Sequence, residues 1–276
     1  MPADERLPPL EDELALLTEA VAAAAERAIG FHGKEPKSWH KANNSPVSEA
    51  DIAVETLLEA TLRPARPSYG WLSEETADDG SRLTAPRTFI VDPIDGTRDF
   101  VAVGRNWSIP IALVENGRPV AAVLMAPARG EIFRAIAGGG ATLNGKPIHV
   151  SAQEGLDGSR LAITRRFTRD EPETADLTID TPFFASLAYR LARIADGRLD
   201  GGLIRPDAQD WDLAAADLLL HEAGGSLADL EGKMPRYDRR TTAHPVLVAA
   251  TPSLVAPLVR LALSFAARHG VPVTPY

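Results

Sequence analysis

The run Thr88-Phe89-Ile90-Val91 leads directly into Asp92-Pro93-Ile94-Asp95-Gly96-Thr97. Its β-forming residues predict a buried strand, and proline, which cannot donate to a ladder, ends it at Asp92. Two carboxylates closing a buried strand are costly unless positive charge compensates them. Any fold open to this chain must therefore bring cations to that strand end. Other acids fall where elements stop: Glu74-Glu75 in a loop, Asp212 at the opening of a helix. The six histidines are scattered without ligand spacing, and the chain has no cysteine, which excludes disulfides, thiolate zinc and cysteine nucleophiles. Oxygen donors alone favour Mg²⁺, with Mn²⁺ as a substitute. Gly96-Thr97 adds a place where backbone approaches a ligand closely, and a helix starting there presents free N–H groups to an anion. Cations beside a phosphate site point to phosphomonoester hydrolysis, with metal-activated water as the nucleophile.

The surrounding pattern is that of a folded α/β protein. Leu10, Leu14, Leu17, Val21, Ala24 and Ala28 share one helical face, ending near Gly30. Ser48-Glu49-Ala50-Asp51 reads as a capping box opening a second helix that Pro64 and Pro67 stop. Asn116-Gly117 between two apolar runs predicts a hairpin, with further strand and turn signals at Ile132 to Ile136 and Asn144-Gly145. A largely antiparallel sheet with helices follows for the first half. In the second half, strands at Leu161 to Thr164 and Val246 to Ala249 alternate with helices around Pro182 to Ala195, from Trp211 to Ala223 and from Ser253 to His269. A boundary near Gly155 divides an N-terminal α+β domain, residues 1–155, holding most metal ligands, from a C-terminal α/β domain, residues 156–276, supplying Asp212 and substrate specificity.

With 29 Lys+Arg against 38 Asp+Glu and a net charge of −9, the chain lacks the basic footprint of a nucleic-acid or anionic-membrane binder. No apolar stretch is long enough to span a bilayer, and the acidic N-terminus precedes no signal-like core, so a cytoplasmic location is expected.

Several acids also have plain structural readings. Asp51 completes a capping box, and Asp212 suits a helix dipole. Trp211 is expected to pack. Glu75, Asp78 and Asp79 read as a solvated acidic loop.

Together, Asp92-Pro93-Ile94-Asp95-Gly96-Thr97 with Phe100, Ser73-Glu74-Glu75-Thr76, and Trp211-Asp212-Leu213-Ala214-Ala215 with Glu222-Ala223-Gly224-Gly225 resemble the inositol monophosphatase family. The resemblance runs roughly from the first helix to Ala250 and includes Ser45 to Asp51 and Gly140 to Gly145. It implies a layered α-β-α-β-α sandwich and two or three Mg²⁺ ions. Glu74, Asp92 and the Ile94 carbonyl would hold the first ion, Asp92, Asp95 and Asp212 the second, and Glu74 would touch a third. Gly96 and Thr97 would bind phosphate, and Thr97 with Asp51 would activate water without a phosphoenzyme, so that Asp51, Glu74 and Thr97 form the catalytic set. Lithium sensitivity and a homodimer are further family expectations. The substrate expected is a small soluble ester, inositol monophosphate or 3'-phosphoadenosine 5'-phosphate. Other sugar phosphates and histidinol phosphate are the alternatives on the same site, and a catalytically silent metal- and phosphate-binding regulatory protein is the alternative of another class. Gly96-Thr97-Arg98-Asp99-Phe100 leans toward the nucleotidases of the family, whereas the segment before Trp211 lacks their Gly-Pro-Thr pattern. Arg205, standing there, is a candidate specificity residue, with pairing to Asp207 or Asp210 as its structural alternative. A covalent haloacid dehalogenase phosphatase would place its two aspartates two residues apart. Here they are three apart.

Overall fold

The computed structural model describes residues 7–41, 46–164, 166 and 171–270. The acidic N-terminal hexapeptide and Ser45 lie outside them. The first helix, α1 (Leu10–Ile29), buries Leu17, Val21, Ala24 and Ala28 as its periodicity predicts. Glu13 is also fully buried in it, and Arg66, Tyr69 and Arg87 hydrogen-bond its carboxylate. A short antiparallel pair, β1 (Ser38–His40) and β2 (Pro46–Ser48), leads into α2 (Glu49–Ala65). This helix runs through Pro64, contrary to expectation. Its ladder continues past the proline, with the Arg66 N–H bonded to Leu62 O, and stops where Arg66 precedes Pro67 and is steered out of the helical region.

Seven strands form the larger sheet, in the order β3 (Gly70–Ser73), β4 (Thr88–Val91), β5 (Ile109–Glu115), β6 (Arg118–Ala126), β7 (Glu131–Ile136), β8 (Gly140–Leu143) and β9 (Lys146–Pro147). All neighbours are antiparallel except β3 and β4. Asn116 and Gly117 both have positive φ, the backbone that a two-residue hairpin matched to strand twist requires. The two-residue side-chain period splits the strands between cores. Phe89, Val91, Ile109, Ile111, Leu113, Ala121 and Val123 pack toward α1 and α2, while Ile90, Ala112, Val114, Ala122 and Leu124 face the opposite layer.

That opposite layer consists of α4 (Leu187–Ala195) and α5 (Asp210–Glu222), the short α3 (Thr97–Val101) lying between β4 and β5. A second sheet, ordered β10 (Leu161–Ala162), β11 (Gly201–Ile204), β13 (Leu247–Ala250), β12 (Ser226–Asp229), lies beyond them, covered outside by α6 (Pro252–His269). The result is the α-β-α-β-α sandwich. Two boundaries and one strand differ from expectation. The strand predicted to reach Thr164 ends at Ala162, and the helix expected around Pro182 starts only at Leu187, because the Ser186 hydroxyl accepts the Tyr189 N–H and fixes the start there. Strand β11 gave no signal, since it opens with Gly201-Gly202. A Cβ at Gly201 would sit 2.7 Å from Leu258 Cδ1 of α6 and 3.1 Å from Ala250 Cβ, a close approach that favours the glycine hiding the strand from propensity.

Because α5 is packed between two sheets, Leu219 (0% exposed) has no open side into which neighbours can relax. Leu219→Ala is expected to cost about 3 kcal/mol in urea unfolding, against about 0.5 kcal/mol or less for Leu263→Ala on the exposed face of α6.

Candidate active site

Strands β3 and β4 are parallel and in register, Ser73 opposite Val91, so the residues following them emerge side by side. The Glu74 N–H bonds to Val91 O, which sets Glu74 beside Asp92. One turn after Asp51 in α2, the buried Glu55 accepts hydrogen bonds from Ser73 and Thr76, each at 2.6 Å, and from Trp71 at 3.3 Å. The loop bearing Glu74 is thus pinned on both sides to the helix that carries Asp51.

Asp92 turns its carboxylate back to accept the Ile94 N–H at 3.0 Å. Asp95 is fixed by reciprocal backbone bonds to Ser108. Its Oδ2 accepts the Ser186 hydroxyl at 2.5 Å and the Ala188 N–H at 2.7 Å, while Oδ1 accepts the Leu187 N–H at 3.2 Å. Asp212 stands at the third position of α5 and accepts the Gln209 N–H at 2.7 Å. Carboxylate oxygens of Asp92, Asp95 and Asp212 lie within 4.8 Å of one another.

Helix N-termini favour negative charge, yet all three acids are shifted the other way. Burial, followed by the charges of Glu74, Asp95 and Asp212, pushes Asp92 well above the usual carboxylate range. Burial raises Asp95 to about 6 against the opposing hydrogen bonds from Ser186, Ala188 and Leu187. Burial and the Asp95 charge raise Asp212 to about 8. Desolvation and mutual repulsion outweigh the backbone donors, which is the electrostatic signature of a site built around cations. Among the described residues Asp92 and Asp212 each accept only one backbone N–H, leaving oxygen lone pairs free. An all-oxygen donor set with free lone pairs fits a hard divalent cation.

Glu74 stands apart from this close group. Its Oε1 is 3.0 Å from Lys41 Nζ, which also bonds Glu75 at 2.8 Å. Glu75 was expected in a solvated loop but has a side chain only 5% exposed, and burial raises it to about 7 even with Lys41 beside it. Asp78 and Asp79 are exposed, as expected, while Asp78 also pairs with the fully buried Arg82, which Asp238 holds as well. Trp211 packs against the core between the two sheets, as expected.

Asp51 serves as cap and site residue at once. Its Oδ2 accepts the Ser48 N–H at 2.9 Å and the Ser48 hydroxyl at 2.6 Å, while Oδ1 is 3.0 Å from the Thr97 hydroxyl. The same hydroxyl lies 3.0 Å from Ile94 O. Gly96 adopts φ +94°, and a Cβ there would meet Asn106 O at 3.1 Å and Ser186 N at 3.2 Å. Phe100 buries its ring edge-on against Trp107, anchoring α3. Arg205 is exposed just beyond β11 and pairs with neither suggested aspartate: Asp210 is bonded to His244 at 2.7 Å. Lys41, Ser186 and Arg190 were not read from the sequence. The helix-capping position of Ser186 was the one signal available.

A layered α/β fold with a buried oxygen-donor site at the end of a strand defines a class of divalent-cation proteins. Residues 10–265 match the inositol monophosphatase family, and the chain belongs to it. It is 35% identical over 236 residues to inositol monophosphatase 1 of Solanum lycopersicum, covering 81% of this chain and 86% of that one. It is 32% identical over 233 residues to the Nus factor SuhB of Salmonella typhimurium, covering 79% and 86%. Among solved structures it resembles the extragenic suppressor protein SuhB of Bartonella henselae, with a TM-score of 0.80, 28% identity and coverage of 91% and 98%. It also resembles an inositol monophosphatase from Anabaena, with a TM-score of 0.74, 27% identity and coverage of 96% and 98%. Among the described residues no helix is long and apolar enough to cross a membrane.

Raised carboxylate pKa values mean that the metal-free native state holds more protons than the unfolded chain between about pH 4 and 8. Stability from these groups is therefore present at low pH and lost as pH rises through the folded values. In EDTA, Tm should fall from pH 5 to pH 8, and Mg²⁺ should raise it more at pH 8 than at pH 5. A metal-free Tm that climbs across this range would contradict the electrostatic reading.

Proposed function

We propose that this protein is a Mg²⁺-dependent phosphomonoesterase acting on a small soluble phosphate ester. The observation that carries the reading is the meeting of Asp92, Asp95 and Asp212 within 4.8 Å, close to a hydrogen-bonded Thr97–Asp51 pair. Glu74, Asp92 and the Ile94 carbonyl would hold one ion, and Asp92, Asp95 and Asp212 a second. Bound Mg²⁺ supplies an acidified water and neutralises charge on the phosphoryl oxygens.

The protein's own groups supply orientation and proton handling. The Thr97 hydroxyl has one proton and two acceptors at equal distance, Asp51 Oδ1 and Ile94 O. When the carbonyl serves as a metal ligand, Asp51 is the acceptor that remains. The Thr97 oxygen then turns a lone pair outward, where it accepts a proton from water and fixes that water's orientation. Asp51 suits the end of this relay: burial raises its pKa despite the hydrogen bonds from Ser48 and Thr97. Its second oxygen is held by Ser48, so its geometry does not drift as the proton moves. Gly96 and Thr97 would receive the phosphate, Gly96 allowing the turn its φ of +94° and its close packing against Asn106 and Ser186.

Phosphate release from a panel of monoesters, with and without Mg²⁺, tests the reading, and silence across the panel would favour a metal-binding regulatory protein. Asp95→Asn should abolish turnover at any practical Mg²⁺ concentration, because it removes charge from a ligand of the second ion, and near-normal activity would contradict the assignment. Thr97→Ala should lower kcat by ~10²-fold or more while metal affinity, measured by calorimetry, changes little. A loss confined to metal affinity would remove Thr97 from water activation. An aspartyl-phosphate on Asp92, trapped and detected by mass spectrometry, would replace direct water attack with a covalent route.

A further inference from the structure

Inward-facing arginines of this molecule mostly have carboxylate partners: Arg82 has Asp78 and Asp238, Arg118 has Asp217, and Arg198 has Glu131 and Asp196. Among the described residues, Arg129, Arg134 and Arg193 instead keep a buried Nε with no hydrogen-bond acceptor. Two of these are otherwise occupied. Arg129 donates to Asn106 at 2.6 Å and lies over the Tyr189 ring, and Arg193 donates to the Tyr189 hydroxyl at 3.2 Å and lies over Phe184. Arg134, in the middle of β7, has no side-chain hydrogen bond, ion pair or ring contact among the described residues. A guanidinium partly withdrawn from water with nothing to bond carries a desolvation cost.

The surroundings of Arg134 form a receptacle. Helix α1 packs on β5, β6 and β7, and a cavity of about 300 Å³ remains between its edge and the strands β7 and β8. Arg134 and Thr142 line it together, being direct cross-strand partners whose side chains share one face. The Thr142 hydroxyl likewise has no partner among the described residues. Leu14 and Ile136 supply half-buried apolar walls, and Gly139, Gly140 and Gly145 contribute backbone alone. The turns at both ends of β8 are fixed by contacts made elsewhere. Glu222 of α5 accepts the Gly138 and Gly140 N–H groups at 2.8 Å each, and the Asn144 side chain accepts the Ile132 N–H at 2.9 Å and donates to Gly130 O at 3.1 Å. The cavity is therefore preformed, with one cationic fork in an otherwise apolar and glycine lining.

We propose that Arg134 and Thr142 form a binding site for a small organic carboxylate. The guanidinium fork matches the two oxygens of a carboxylate, and the Thr142 hydroxyl adds a further donor. No second cation lines the cavity to balance a phosphate dianion. Leu14 and Ile136 favour a hydrocarbon body beside the charge, and a volume at the lower end of small-ligand pockets limits that body to a short chain or a single ring. Strands β5 and β6 separate β7 from β4, and the cavity shares no residue with the acidic cluster, so this site stands independently of the phosphomonoesterase reading.

The probe is isocaproate, with its primary amide as the neutral isostere and inorganic phosphate as the competing anion. Each is titrated into the full-length protein in EDTA, so that no metal ion mediates binding. Calorimetry gives the affinities, and nitrogen-resolved NMR follows the Arg134 Nε–H and the Gly139, Gly140 and Gly145 amides. Isocaproate should shift these resonances and bind with a Kd of ~1 mM, at least ~10-fold tighter than the amide or phosphate. Arg134→Met should weaken binding by ~10-fold or more, and Thr142→Val by ~3-fold. Gly139 lies outside the left-handed region, and an added Cβ there meets only Ile136, at 3.4 Å, so Gly139→Leu is compatible with the turn and should block the cavity. Absence of isocaproate binding up to ~20 mM, or equal affinity for the amide, overturns the site. So does an affinity that Arg134→Met or Gly139→Leu leaves unchanged, or a set of shifts confined to the neighbourhood of Asp92. Tighter binding of phosphate than of isocaproate overturns the assignment to a carboxylate.

Discussion

Everything in this molecule is arranged around the repulsion of carboxylates withdrawn from water at the end of one strand. Asp92, Asp95 and Asp212 would each be ionised in solvent near neutrality, but burial and mutual charge oppose that here. The fold answers with N–H donors. Asp51, Asp95 and Asp212 each sit at the N-terminus of a different helix, α2, α4 and α5, and each accepts a backbone N–H there. These donors fix the geometry of the oxygens without neutralising them. The charge that remains is what makes the site suited to divalent cations.

This arrangement explains why the layers are stacked as they are. The parallel pair β3 and β4 delivers Glu74 and Asp92 to one end of the large sheet, and the layer of α4 and α5 directs two further helix starts at the same point. Glu55 ties the Glu74 loop to α2, and Ser48 ties Asp51 to its own helix start. A fully buried Leu219 in the middle layer and a fully buried Phe133 across from it fill the space that keeps these helix starts at fixed distances. Stability and site geometry therefore depend on the same packed interface.

The charged residues divide into those the protein satisfies itself and those it leaves for others. Arg82, Arg87, Arg118 and Arg198 have internal carboxylate partners and act as structure. Asp92 and Asp212 each accept one backbone N–H among the described residues and keep lone pairs free. Free carboxylate oxygens converging at one strand end describe a place for cations.

The sequence by itself determined the helices with long apolar periodicity, the Asn116-Gly117 hairpin, the capping box at Ser48 and the position of the acids at element ends, because each is written in the neighbours along the chain. It did not reveal β11, whose Gly201 lies against α6 and Gly202 against Ala162, nor the late start of α4. It mistook Glu75 for part of a solvated run, since only folding brings Lys41 against it. Which acids converge, which are neutralised by a protein cation and which arginines are left unpaired depend on distances between residues up to more than a hundred positions apart. Those distances exist only once the layers have packed.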